Sequence, residues 1–307
     1  MSIKNWTTEN IGNLNGKNII VTGGNSGLGF EAVKALSNKG AKVILACRNI
    51  EKGEQAKKSI LEFDNKANII VSKLDIADLD SIRQFSNQYK SDNTHLDVLI
   101  NNAGIMMPPY ELTKDGFESQ MGTNHLGHFA LTGLLLDILK KTPKSRVINV
   151  SSIAHKNGRM DFDNLLYTNG KDYTPMKAYG RSKLANLLFT FELQRFFEKN
   201  NIDCIAVGAH PGVSDTNLFN DILPNWVMSL LKPIFNFMIQ PASMGALPEL
   251  RAAVDLNVKG AEYYGPDGRR EMKGYPIIVN PMPHAQNIDD AKKLWNASEK
   301  LTNIYYK

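Results

Sequence analysis

The stretch YTNGKDYTPMKAYGRSK, residues 167–183, sets a tyrosine four residues ahead of a lysine three times: Tyr167 with Lys171, Tyr173 with Lys177, and Tyr179 with Lys183. A phenol of pKa about 10 is a poor acid or base near neutrality, but an ammonium beside it favours the phenolate and lowers that value. Such a pair moves protons only if both side chains share a face, which spacing alone does not establish. Tyr167 and Lys171 enclose Asn169-Gly170, a turn dipeptide, so the first pair lies in a loop. Tyr173 and Lys177 enclose Pro175, which suits the first helical position after a Thr174 cap and leaves Tyr173 outside the helix. Only Tyr179 and Lys183 fall inside a continuing helix, residues 175–199, where one turn brings the two side chains to one face.

Other polar residues keep this pair company. RVINVSSIAH puts Ser151 and Ser152 at the carboxyl end of a β-branched run, where a hydroxyl could hydrogen-bond a substrate oxygen. Either serine fits. NNAG, residues 101–104, ends another such run with small and amide-bearing residues. Asn124, in the helical ESQMGTNHLGHFALTG, is a poor helix former in an apolar stretch, which points to a polar task or a local hydrogen bond.

Upstream, TGGNSGLG follows the first apolar run and precedes an amphipathic helix. Gly23, Gly27 and Gly29 mark a tight strand-to-helix turn whose free N–H groups suit a pyrophosphate, and that context points to dinucleotide binding. After the second run comes LACRN, with Arg48 and no carboxylate; the planar guanidinium suits a 2′-phosphate and favours NADP over NAD. A solvated surface arginine is the alternative. Asp75, in KLDIAD, could accept from an adenine amino group or cap the helix that begins near Leu79.

The elements that must hold these residues are six short apolar runs, at 18–22, 42–46, 68–72, 96–100, 146–150 and 203–207. None alternates, as expected of strands covered on both faces. Helices are expected at 28–38, 50–63, 79–90, 115–141 and 175–199. The alternation predicts a single-domain Rossmann fold spanning 1–307, a doubly wound, mostly parallel sheet with helices on both faces and ligands past the strands' carboxyl ends. The later region reads differently, with a substrate-covering segment at about 213–245, a helix near 242–256, and a turn-rich carboxyl extension at about 260–307. Residues 220–239 read equally as a core-packing helix pair or an apolar lid, and less well as a shallow membrane attachment.

The composition excludes several classes. With 307 residues, 42% of them hydrophobic, the chain can bury a large core, and no apolar run reaches the roughly 20 residues of a membrane span. The amino end lacks a basic start followed by an apolar core, so no secretory signal is expected and the expected location is cytoplasmic. Net charge is +5, but the basic residues are scattered, which gives no nucleic-acid patch. Cys47 and Cys204 form no CxxC, and His125 and His128 lack further ligands, so no metal is expected.

TGGNSGLG, LDI, NNAG, the Asn of MGTNHLGHF, VSS, YGRSK and HPG stand in an order that resembles the short-chain dehydrogenases/reductases over nearly the whole length. ACRN, NNAGIM, TNHLGHF, VSSIAH and AYGRSKLAN look most like the retinol dehydrogenase and WW-domain oxidoreductase group. The resemblance implies an NADP(H)-dependent oxidoreductase acting on CH–OH donors, with an apolar alcohol or carbonyl substrate. It makes Tyr179 the general acid/base, Lys183 its modulator and ribose ligand, Ser152 the holder of the substrate oxygen, and Asn124 the support of a water-linked proton route. It places Gly23, Asn25, Ser26, Gly27, Leu28 and Gly29 around the pyrophosphate, Arg48 on the 2′-phosphate, and Asp75 and Ile76 at the adenine. Asn102, Ala103 and Gly104 follow along the ribose, with Pro211, Gly212, Val213 and Thr216 at the nicotinamide end. A homodimer or homotetramer is also implied.

One departure is the 27-residue interval from Ser152 to Tyr179, longer than in simpler members, whose extra residues are expected to form a surface excursion near the substrate mouth. Two rivals remain: a non-catalytic, NADP-binding redox sensor, and a nucleotide-sugar epimerase or dehydratase. A sensor would not need Tyr179, Lys183, Ser152 and Asn124 together, and the glycine spacing speaks against the epimerase.

Overall fold

The computed structural model describes residues 5–214 and 240–307. β1 (Asn18–Thr22), β2 (Lys42–Cys47), β3 (Asn68–Lys73), β4 (Val98–Asn101), β5 (Ser145–Val150) and β6 (Cys204–Ala209) each start and stop within two residues of an apolar run read from the sequence. They join β7 (Tyr263–Pro266) and β8 (Pro276–Ile278) in one sheet of order β3-β2-β1-β4-β5-β6-β7-β8. All pairings are parallel except β7 with β8, which is antiparallel.

The unbroken apolar runs follow from two cores. Ile19 and Val21 of β1 pack with Ala32, Val33 and Leu36 of α1 (Gly27–Ser37), whereas Ile20 packs with Ile82 and Phe85 of α3 (Leu79–Asp92) on the other face. Val43 and Leu45 divide from Ile44 and Ala46 in the same way. Every position is covered, so every position is apolar. Helix α2 (Ile50–Phe63) completes the first half of the fold, and β1 sits between β2 and β4. The chain leaves β1 in opposite directions for those neighbours, which opens a crevice at their carboxyl ends.

The helix expected over 115–141 starts later and is interrupted. Asp115 accepts from the Leu79 amide, Gly116 turns at φ +80°, and the Glu118 carboxylate caps α4 (Ser119–Met121) through the amides of Gln120 and Met121. A π turn over Gly122–Leu126 follows, then α5 (Gly127–Leu134) and α6 (Leu136–Lys141). Helix α7 spans Pro175–Lys199 with Thr174 as its cap, as the spacing predicts. The helix expected near 242–256 divides into α8 (Ala242–Gly245) and α9 (Leu247–Val254).

Two elements escaped the sequence reading. The turn-rich YYGPDGRREMKGYP forms the β7–β8 hairpin, its prolines standing at the strand ends, where a missing N–H costs no ladder bond. Helix α10 (Ile288–Thr302) lays Ala291 and Leu294 against Leu184 and Leu188 of α7. Residues 220–239, read as lid or core, lie outside the described residues.

Candidate active site

The crevice is a cleft of about 880 Å³. At the strand-to-helix turn Gly23 and Gly27 have φ of +67° and +56°, a region that disfavours side chains. A Cβ on Gly29 would lie 2.4 Å from the Gly23 carbonyl oxygen, so Gly29 serves close packing behind the turn. Ser26 precedes α1 without capping it through its side chain, which leaves the helix's first amides free. Gly23, Asn25, Ser26, Gly27 and Leu28 all line the cleft. Arg48, Asp75, Ile76, Asn102, Ala103 and Gly104 line it too, together with Tyr179, Lys183 and Pro211.

Some expected residues stand elsewhere. Gly29, Asn124, Ser152, Gly212 and Val213 are not in the lining, and Thr216 lies outside the described residues. Gly212 and Val213 are pinned to the segment that links β7 and β8: a Cβ on Gly212 would meet the Met272 oxygen at 2.3 Å, and the Val213 amide donates to that oxygen. Asp75 does not cap α3. Asp78 does, accepting from Asp80 and Ser81, while the Asp75 carboxylate accepts from Ala77. Lys52, in the first turn of α2 just past the Asn49 cap and also in the lining, was missed; its nearness in sequence to Arg48 was the available signal.

Tertiary structure separates the two serines. Ser151 lines the cleft, but its hydroxyl is buried and donates to the Lys183 carbonyl, so that proton is engaged within the fold. Ser152 stands just past the lining, accepts from the Ala154 amide, and faces Tyr179 closely enough to favour its phenolate. His155, also missed, donates from Nδ1 to the Ser152 carbonyl at 2.7 Å because its Nε2 accepts from the Met282 amide. It therefore braces Ser152 from below.

Lys183 does not behave as the spacing suggests. Its Nζ donates to the Val150 carbonyl at 3.2 Å and lies 5.8 Å from the centre of the Tyr179 ring. Burial raises the Tyr179 phenol above the ordinary tyrosine value, with only the Ser152 hydroxyl pulling it back. Burial also brings the Lys183 ammonium down to about 8, against an upward pull from the Glu249 carboxyl. The expected lowering of the phenol by its lysine is thus absent here, because desolvation outweighs a charge directed at a carbonyl.

Asn124 sits in the π turn and braces rather than lines. Its amide accepts from Ile105 N, and donates to Ile105 O and to the Ser182 hydroxyl. Its main-chain carbonyl accepts from Nδ1 of His128 at 3.1 Å, and Nε2 of His128 lies 2.9 Å from the Thr22 hydroxyl. Thr22 in turn accepts from the amides of Asn102 and Ala103. This chain ties the cleft wall to the π turn. His128→Phe removes both of these buried hydrogen bonds and should cost about 1–3 kcal/mol in urea unfolding, with His128→Asn recovering part of it through a retained donor. Equal stability of the Phe variant would contradict that account. His125 turns away, bonding the Ser298 hydroxyl.

The remaining tyrosines of the triple repeat have structural work. Tyr173 donates to the Pro108 carbonyl at 2.6 Å and accepts from Gln120, whose Oε1 holds the Met107 amide. Tyr167 is buried under the Arg181 guanidinium, 4.0 Å from the ring centre. The 152–179 excursion accordingly packs against the loop at the mouth, with Leu165 and Tyr167 buried rather than on the surface.

Residues 17–225 match the family model described as short chain dehydrogenase. The chain belongs to that family and is an oxidoreductase acting on CH–OH donors with a small-molecule substrate. Within it the chain falls in the retinol dehydrogenase group. It is 45% identical to retinol dehydrogenase 11 of Homo sapiens over 292 residues, 95% of this chain and 87% of that protein. It is 39% identical to retinol dehydrogenase 12 of Mus musculus over 294 residues, 95% and 88% of the two chains. The crystal structure of an uncharacterised Mycobacterium paratuberculosis protein superposes with TM-score 0.83 at 39% identity, covering 99% of this chain and 100% of the other. The RhlG/NADP active-site complex of Pseudomonas aeruginosa shares the fold, at TM-score 0.64 and 20% identity over 82% and 94%. Among the described residues no helix is long and apolar enough to cross a membrane.

Proposed function

We propose that the protein is an NADP(H)-dependent oxidoreductase that interconverts an apolar alcohol and its carbonyl compound. The observation that carries this reading is the convergence on one cleft of the uncapped α1 turn, Arg48, and the Tyr179 and Lys183 side chains. A dinucleotide fits these residues, because the glycine turn admits a phosphate against backbone amides. Arg48 has no hydrogen bond or ion pair within the described residues and stands ready for a 2′-phosphate, with Lys52 beside it. Met106, Met107, Pro108, Pro109 and Leu112 in the lining support an apolar substrate.

A bound nicotinamide supplies the hydride donor or acceptor and, when oxidised, a positive charge. In reduction Tyr179 gives its proton to the substrate oxygen, which Ser152 holds; oxidation reverses both roles. Lys183 holds the ribose, and Asn124 keeps the loop that carries Gly104 in place beside the ammonium. The test is purified protein with NADPH or NADH and a panel of aldehydes and ketones, followed at the nicotinamide absorbance. Failure to oxidise either cofactor with any of them removes the reading. Arg48→Asp should raise KM for NADPH by at least about tenfold while leaving that for NADH within a factor of about two. Unchanged discrimination would remove Arg48 from the site.

A further inference from the structure

Glu249 of α9 is the anomaly of this fold. It is 2% exposed, and among the described residues neither carboxyl oxygen has a hydrogen-bond partner. A buried carboxylate without partners carries a large desolvation cost, so such a group either stays protonated or has a charge to answer. It faces a gap with no room for water, bounded by Leu28, Val150, Ala209, His210, Pro211 and Gly245. Three of these, Leu28, Val150 and Pro211, are also walls of the cleft, and Pro211 belongs to the end assigned to the nicotinamide.

Among the described residues the charged surroundings of this carboxyl are sparse. Lys183 from α7 reaches it through space, and the two are not in hydrogen-bond contact. His210, from the end of β6, lines the same gap, but its Nδ1 accepts from Gly212 and its Nε2 points to Glu271 at 3.1 Å. That contact is within ion-pair distance but too poorly aligned to count as a hydrogen bond. Glu271 is further engaged by Lys156, and Arg251, on the same helix as Glu249, is engaged by Asp255. Neither α1, β5 nor α8 brings a charge to the gap. Burial accordingly raises the Glu249 carboxyl to about 8, so near neutrality it is mostly protonated.

We propose that Glu249 is the electrostatic partner of the oxidised nicotinamide ring, keeping its proton when the site holds the uncharged reduced ring and releasing it to solvent when the site holds the cationic ring. The proposal rests on the nicotinamide assignment above. The carboxylate formed then offsets the cation, which the neighbouring Lys183 would otherwise repel, and the chain favours the oxidised cofactor more than its polar contacts alone would allow.

Calorimetric titration of the wild-type protein with NADP⁺ and with NADPH, in two buffers of different ionisation enthalpy at pH 7, counts the protons. NADP⁺ should release close to one more proton than NADPH. Glu249→Gln keeps the shape and removes the charge. It should abolish that difference and weaken NADP⁺ about tenfold relative to NADPH, as expected for one charge pair across a partly polar interior. Protons lost by Tyr179 or Lys183 would persist in this variant. Glu249→Met, close in volume, serves if the Gln variant does not fold. Equal proton counts for the two cofactors in the wild type, or an unchanged affinity ratio in a folded variant, overturns the proposal while leaving the nicotinamide reading intact. If wild-type protein binds neither NADP(H) nor NAD(H), both readings fall together.

Discussion

Tyr179→Phe should lower kcat by about 10² to 10⁴ while leaving NADPH affinity and the unfolding midpoint near wild type, because it deletes a proton donor and little else. The ring is 8% exposed and packed, and phenylalanine keeps that packing. The hydroxyl carries no structural hydrogen bond comparable to those of Tyr173 or Tyr306, which each donate to a main-chain carbonyl. Ser152 retains its bond from Ala154 in the variant. Single-turnover rates with NADPH and a reactive aldehyde make the measurement. A variant that keeps more than a tenth of the wild-type rate would take Tyr179 out of the chemistry.

The second large effect concerns acid. Four buried histidines are lowered by desolvation, of which three are held far below the ordinary value, His125 at about 3 and His128 and His155 at about 4. Each titrates near 6.5 once unfolded, so below that value the unfolded chain binds more protons than the folded one, and stability falls as pH falls. Between pH 7 and 5 the three together remove about 5 kcal/mol. Glu249 works the other way. Its folded value near 8 exceeds its unfolded one, so the folded chain holds the extra proton across this window and returns about 2 kcal/mol. A net loss of about 3 kcal/mol is a large share of a typical 5–15 kcal/mol. Urea midpoints at the two pH values measure it, and equal midpoints would mean that these rings are not buried and neutral as described.

The fold was legible because its signals are local. Each of the first six strands is a short run rich in β-branched residues, and the crossover helices α2, α3 and α7 carry their own caps, such as Thr174 with Pro175 on α7. The β7–β8 hairpin was not legible, since Pro and Gly interrupt its sequence and its pairing partner β6 lies more than fifty residues upstream. The late start of the helix after Asp115 was hidden for a similar reason: the Asp115 carboxylate answers the amide of Leu79, 36 residues away.

What the sequence by itself determined is the glycine turn, the parallel sheet behind it, and the seating of Tyr179, rather than Tyr167 or Tyr173, one turn from its lysine within a helix, since one helical turn is a property of consecutive residues. Tertiary structure alone decided that Ser152 rather than Ser151 faces the phenol, that His128 and His155 brace the site, and that Glu249 comes near Lys183. It also decided that burial raises the phenol against the pull of the Ser152 hydroxyl. Hydrogen-bond partners and desolvation depend on which distant segments meet, and no local pattern in the chain encodes that meeting.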